Sequence, residues 1–448
     1  MIASICCYKN QQTGYNSTAS NNSNNMVANT AETTFPPCPA SADWINNPQS
    51  GPAEVANGNN AQLCQFYQFS WQWFLAMMNQ TPGGTTRNYQ NQQQYPQLQA
   101  ANSCNSSNSK PAFFVRTIKN QDNKLGDFIL PEDAEQALNS AVIYDQQGKV
   151  VLYEVRFSIN ECAAAETIPT PTNFQPGTIE MKIAYRQITS AEAPNYITVN
   201  ADINQDGKID PTELLGMVGF HLVINTPDHP EFIWATFEHK QNVPECQLPP
   251  AQNAPAWSFT SAECAADLPN PRKCGFNVTP TPSGSPSGSP TPIPLAGGTP
   301  TQICRVYHDS SKTGDDKFAM NVFDIDSLNT QMTGPNGIIT GISQGPLAVL
   351  KNYQMVGALW VNQDTTSPSF PNASGSPLPS GNQRGSIQLA NATMETTAQQ
   401  GFGAPPYTGT DNLQPAANCF ACHGYDPKAG NVAVSHIFDD IVAQTKKK

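Results

Sequence analysis

Three residues near the end of the chain have the types and spacing that attach an iron porphyrin covalently. Residues 419–423 read Cys-Phe-Ala-Cys-His, which places Cys419, Cys422 and His423 in a C-x-x-C-H pattern. Two thiols at this spacing reach the two vinyl groups on one porphyrin edge, and the next residue brings an imidazole to the iron. A zinc site would need two more ligands nearby, and the nearest other cysteine is Cys304. The pattern therefore predicts one covalent haem c.

The ligand on the opposite side of this iron is less evident, because no methionine follows the motif. His436 is the first choice, since Gly430-Asn431 supplies a turn that returns the chain toward His423. His221 and His239, on neighbouring predicted strands, are the alternatives. An open or water-bound iron is the remaining one.

A second group of residues matches the twelve-residue calcium loop of EF-hands. The oxygen ligands at positions 1, 3, 5, 7, 9 and 12 would come from Asp202, Asn204, Asp206, Lys208, Asp210 and Glu213. Gly207 makes the sharp turn, Lys208 offers its backbone carbonyl, and Glu213 supplies both carboxylate oxygens. A β-like segment at 196–199 replaces the usual entering helix. We therefore expect one structural calcium in a loop beside a sheet, rather than a calcium sensor.

The elements that must position these groups indicate an α+β fold with a mainly antiparallel sheet, a few helices and long surface loops. Strands are predicted at 141–145, 150–157, 178–188, 217–225 and 231–239. Helices are predicted at 62–79, 131–140, 385–400 and 432–444. Between 178 and 188, apolar side chains alternate with Glu180, Lys182 and Arg186, which predicts a half-buried strand.

Composition limits the class of protein. The net charge of -12 gives no support for a nucleic-acid partner, and no apolar run is long enough to span a bilayer. Twelve cysteines are unusual for a reducing compartment. The ten outside the haem motif allow up to five disulfides whose pairing the sequence does not reveal. We therefore expect an exported protein.

Two stretches have compositions that disfavour a packed core. Residues 1–60 are rich in Asn, Ser, Thr and Pro, and we expect this segment to be poorly ordered, with Cys38 and Trp44 pinning its end. Residues 279–300 are rich in Pro, Ser, Gly and Thr. On composition alone, this second stretch is either a boundary between domains or an insertion within one.

Several segments together resemble a known family. They are 219–223, 226–239, 353–360, 389–396, the haem motif and 435–438. They resemble exported bacterial mono-haem proteins that share only the general name "cytochrome c family protein". The resemblance implies a single cytochrome-like unit over 61–448, with 279–300 as an insertion, in the periplasm or outside the cell. It implies no particular reaction.

Three function classes follow from these features. The leading one is electron transfer by a six-coordinate haem, with a redox protein or a small redox molecule as partner. The second is an enzyme whose open iron activates peroxide or oxidises a small nitrogen compound. The third is a surface-assembly protein that self-associates and conducts electrons between its copies.

Overall fold

A computed structural model provides the fold. It describes residues 37–46, 48, 50–81, 83–99, 103–105, 117–119, 125–129, 142–203, 209–210, 213–246, 248–250, 256–278, 293–294, 296–305, 316–361, 383–386, 389–396, 419, 423 and 430–446. From Pro37 onward the chain belongs to one compact unit. Within the described ranges, no helix has the length and apolar character needed to cross a membrane.

In the described residues, ten strands form two antiparallel sheets. Their bounds are β1 (Thr117–Lys119), β2 (Leu125–Ile129), β3 (Leu152–Phe157), β4 (Ile179–Ile188), β5 (Thr198–Asn200), β6 (Leu214–Ile224), β7 (Ile233–His239), β8 (Ile293–Pro294), β9 (Tyr353–Val361) and β10 (Gln383–Gly385). The main sheet has seven strands in the order β10-β9-β7-β6-β4-β3, with β5 also paired to β6. The smaller sheet has the order β1-β2-β8. The predicted α+β class with an antiparallel core is confirmed.

Six helices accompany the sheets in the described residues. They are α1 (Asp43–Asn46), α2 (Leu63–Met78), α3 (Asn160–Glu166), α4 (Ala262–Ala265), α5 (Asp316–Thr333) and α6 (His436–Thr445). The predictions for α2 and α6 are confirmed. The helix expected at 385–400 is wrong where the chain is described, because Gly385 ends β10 and 391–396 form turns. The helix expected at 131–140 lies outside the described residues.

One face of the main sheet packs against α2. The ring of Phe74 stacks on that of Phe237 at 3.9 Å between centroids, and Phe66 stacks on Trp360 at the same distance. Trp71 meets Phe237 edge to face at 5.1 Å. These aromatic side chains are buried, and aromatic contacts of this kind add to the free energy gained from burial. The aromatic stretch of α2 is therefore part of the hydrophobic core.

The opposite face of the sheet is also covered, which corrects the expected half-buried strand. Glu180 and Arg186 of β4 are only 5% and 4% exposed. The segment 389–396 lies on this face, where Asn391 donates a hydrogen bond to Thr236 Oγ1 at 2.8 Å. Phe438 of α6 joins an apolar cluster on the same side. At Glu180 and Arg186 the polar alternation in β4 therefore marks buried groups, whereas Lys182 between them is half-buried.

Four disulfides cross-link the described part of the chain, three of them between residues far apart in sequence. They pair Cys38 with Cys64, Cys104 with Cys162, Cys246 with Cys304, and Cys264 with Cys274. The first ties the chain ahead of α1 to α2, and Trp44 packs beside the core as a half-buried residue. Cys6 and Cys7 lie outside the described residues, as do residues 279–292 of the Pro-rich stretch. Several disulfides in one chain indicate an oxidising environment.

Candidate functional site

His423 is held by two hydrogen bonds that set its orientation. Its backbone amide donates to the carbonyl of Cys419 at 2.7 Å, which brings these two residues of the motif together. Its Nδ1 lies 2.7 Å from the carbonyl oxygen of Val434. Because a carbonyl can only accept, Nδ1 must carry the hydrogen, and Nε2 is left as the nitrogen that can bind a metal. Cys422 lies outside the described residues.

The surroundings of His423 keep its imidazole neutral. Burial, followed by the neighbouring His436, lowers the pKa of His423 to about 3. A neutral imidazole is the form that binds metals. The ring of Trp234 lies 4.7 Å from that of His423, and Cys419 packs against an apolar cluster that includes Phe438. These residues fit a covalent haem, since they offer a thiol, an oriented imidazole and apolar walls.

The ring of His436 lies directly against that of His423, which leaves no space for an iron atom between the two rings. It is the first residue of α6 and is exposed, and its ring stacks on that of His423 at 4.3 Å and 23°. Two imidazoles on opposite sides of one iron would have centroids roughly 6 Å apart, because each metal–nitrogen bond is about 2 Å. Coordination by His436 therefore requires its side chain to leave this stack.

His221 is the second histidine that the structure brings to this place. It lies on β6, opposite Lys182 of β4, and its Nε2 is 2.7 Å from Glu395 Oε1. The other oxygen of Glu395 accepts the amide of Asn391 at 2.8 Å. Burial works against ionisation of Glu395, but His221 and then Lys182 outweigh it and lower the pKa of this carboxyl. The charges of Lys182 and His221 also help to lower the pKa of His423, so these groups share one region.

His239 does not belong to this group. Its Nε2 is 3.0 Å from the carbonyl of Asn195, and its Nδ1 accepts the amide of Gln241 at 3.2 Å. Both ring nitrogens are therefore engaged in hydrogen bonds. His239 also lies five residues along β7 from Trp234, a distance of about 17 Å in a strand. His308 is outside the described residues.

The candidate calcium loop connects two paired strands. Thr198–Asn200 pairs with 214–216 of β6, so the loop from Asp202 to Glu213 closes a β-hairpin. Glu213 Oε2 accepts the amide of Ile203 at 2.9 Å, which turns the last ligand position back toward the first. Asn204, Asp206 and Lys208 lie outside the described residues. In the part of the chain that is described, no group of three or more His, Cys, Asp or Glu residues forms a metal site.

Sequence reasoning from motifs alone missed four contributors to the region around His423. They are Lys182, Trp234, Glu395 and the carbonyl of Val434. A signal for two of them was present, because Trp234 and Glu395 lie in segments that carried the family resemblance. In the structure, those segments meet on one face of the sheet beside His423.

Comparison with known proteins adds no constraint on this site. No protein-family model, curated protein or solved structure matches the chain. The chain is therefore assigned to no family, and its function has to be inferred from the chemistry of its own residues.

Proposed function

We propose that the chain is an exported mono-haem c-type cytochrome that transfers electrons. Cys419 and Cys422 would attach the haem, and His423 would bind its iron through Nε2. The observation that supports this most is the hydrogen bond from His423 Nδ1 to Val434, because it fixes the tautomer in which Nε2 binds a metal. The motif spacing and the low pKa of His423 agree with this role.

The bound haem would supply one-electron chemistry at its iron. The protein's part is to orient the imidazole through Val434 and to exclude water with Trp234 and the apolar cluster around Cys419. Burial and the axial ligands are the main means by which a protein sets the potential of such an iron.

Electron transfer is favoured when side chains of the protein leave the iron no position for a substrate. We propose that His436 would be the second protein ligand, because it is a histidine close to His423 on an exposed helix end. His221 is the alternative ligand within the same region. Either residue would give a low-spin iron with no free site for a substrate.

A haem enzyme is the second candidate, and one observation favours it. His221 and Glu395 form a pair at 2.7 Å beside Lys182, an arrangement that can donate and accept protons. If the iron has an open position, this pair would serve peroxide activation or the oxidation of a small nitrogen compound. The state of the sixth coordination position therefore separates the two functions.

We also propose one structural calcium in the loop from Asp202 to Glu213. The twelve-residue spacing and the return of the Glu213 side chain toward Ile203 support it. An ion there would stiffen the β5–β6 hairpin. Export is supported by the four disulfides, and a redox protein or a small redox molecule would be the partner.

The test is to produce the chain in a bacterial host that exports proteins and attaches haem c. Intact mass after acid-acetone extraction should equal the polypeptide plus one haem. Optical spectra of both oxidation states should then show a low-spin iron that does not bind carbon monoxide. A mass equal to the bare polypeptide would refute the haem, and a high-spin iron that binds carbon monoxide would favour the enzyme. Cys419→Ala with Cys422→Ala is the control that should lose covalent attachment.

A further inference from the structure

Two carboxyl groups, those of Glu161 and Glu180, are buried near the start of α6. Glu161 lies in the first turn of α3 and is 0% exposed, and Glu180 lies on β4 and is 5% exposed. Both oxygens of Glu161, and Oε1 of Glu180, have no hydrogen-bond partner among the described residues. Burying an ionised carboxylate without a partner is very costly, so such a group usually takes up a proton instead.

The two groups act on each other. Burial, and then the neighbouring Glu180, raises the pKa of Glu161 well above its usual range. Burial raises the pKa of Glu180 to about 7, although Ser435 and Lys182 work against the shift. Two buried carboxyls that raise each other's pKa resist ionising together, and they titrate as a pair. The pair therefore favours binding a proton near neutral pH.

The pair is linked to the proposed iron ligand through one short stretch of chain. The side chain of Ser435 helps to lower the pKa of Glu180, so it lies beside that carboxyl. The oxygen of Ser435 also accepts the amide of Phe438 as the cap of α6. The residue before Ser435 is Val434, whose carbonyl accepts the hydrogen bond from His423. A change of charge at the iron therefore acts on the pair across a few bonds of buried protein, where screening by water is weak.

The chain just before the pair is at the surface. Glu161 follows Ile159, which is 40% exposed, and Asn160, which is half-buried. Solvent therefore comes within two residues of Glu161 along the chain.

We propose that Glu161 and Glu180 form a proton-binding site coupled to the haem, which takes up one proton from solvent when the iron gains one electron. This inference rests on the proposed function. The electron comes from a one-electron donor, and the only bond that forms is the O–H bond of a carboxyl. The pair loses this proton when the iron is oxidised. Together the two steps keep the charge of the buried region constant.

Other titratable groups near the pair must be separated from it in any test. Lys182 lies on the same strand and face as Glu180. The charged and titratable groups on the elements around the pair include Glu166, Lys182, Arg186, His221, Glu395, His423, His436, Asp439 and Asp440. Of these, Glu166 at the end of α3 is exposed. Replacing Glu166 by Gln therefore removes one carboxylate, as the pair variants do, but leaves Glu161 and Glu180 in place.

The experiment measures the midpoint potential of the haem-loaded protein at pH values on both sides of 7. The wild-type potential should fall as pH rises, by at most about 59 mV for each tenfold drop in proton concentration, the limit for one proton per electron. The double variant Glu161→Gln and Glu180→Gln should lose most of this slope, and Glu166→Gln should keep it. If the double variant does not fold, the two single variants are measured instead. In either one, the pH range over which the midpoint potential changes should move to lower pH, because the remaining carboxyl no longer faces a like charge.

Two results would overturn the inference. One is a wild-type potential that does not change with pH in this range, and the other is a slope that the glutamine variants leave intact. Both need a protein that contains haem, so the mass measurement comes first. A chain without haem would instead refute the proposed function.

Discussion

At the scale of single residues, the function of the site depends on which histidine is the second protein ligand of the iron. We predict that His436→Ala converts a low-spin haem to high spin and lets it bind carbon monoxide, because one imidazole is then missing. His221→Ala is the matched control and should remain low spin. Absorption and electron paramagnetic resonance spectra of both variants check this. The reverse outcome, with His221→Ala becoming high spin, would assign the ligand to His221 and leave His436 as a ring stacked on His423.

A second prediction at this scale concerns buried charge and pH. The pKa of Glu180 is raised from 4.5 to about 7, so the folded state binds a proton that the unfolded state has lost between these values. Stability therefore falls as pH rises through this range. Glu180→Gln removes the cost of burying an ionised carboxylate at this position. The melting temperature of this variant should therefore exceed that of the wild type at pH 8 but not at pH 4.

Glu192 should change stability with pH in the opposite direction to Glu180, so it serves as the control. It pairs with Arg186 at 2.7 Å. Burial opposes ionisation of Glu192, but hydrogen bonds from Thr189 and Arg186 outweigh burial and lower its pKa. The stabilisation by ionised Glu192 is present above the pKa that this carboxyl has in the unfolded chain, and it is lost as pH falls. Glu192→Gln should therefore lower the melting temperature at neutral pH and lose this effect in acid. Equal effects of both variants at all pH values would contradict the assignment.

At the scale of elements, the β5–β6 hairpin should depend on calcium. An ion that binds only the folded state stabilises it by about 2.7 kcal/mol at a concentration one hundred times its Kd. Removing calcium with a chelator should therefore lower the melting temperature, and added calcium should restore it. Glu213→Gln should abolish this response, because the amide cannot supply two anionic oxygens.

The control for the calcium prediction is Glu263→Gln. Glu263 is an exposed glutamate in α4, so this variant makes the same chemical change away from the loop. It should respond to calcium as the wild type does. A melting temperature of the wild type that is unchanged by chelator would remove the calcium from the proposal.

At the scale of the whole molecule, the disulfides restrict the unfolded chain to different extents. Cys246 and Cys304 are 58 residues apart, whereas Cys264 and Cys274 are 10 apart. Loop-closure entropy alone gives about 4 kcal/mol for the longer loop and about 3 kcal/mol for the shorter one. Replacing the first pair by alanine should therefore lower the free energy of unfolding more than replacing the second. Denaturant titration of the two double variants measures the difference, and a larger loss from the second pair would argue against this account.

The sequence by itself determined the features that depend on neighbours along the chain. The spacing of Cys419, Cys422 and His423 defines the haem motif, and the order of oxygen-bearing residues defines the calcium loop. Alternation placed β4, and a run of aromatic residues placed α2. Each of these signals is local, because strand and helix periods are set by the backbone geometry of a few successive residues.

Only the tertiary structure decided which distant residues meet. His221 and Glu395 are 174 positions apart, yet their side chains lie 2.7 Å from each other. The pairing of the cysteines and the burial of Glu180 also had no local signal. These features depend on the order of strands in the sheet and on which segments cover its second face. A pattern of alternating residues shows that a strand has two different faces, but it does not show what packs on each of them.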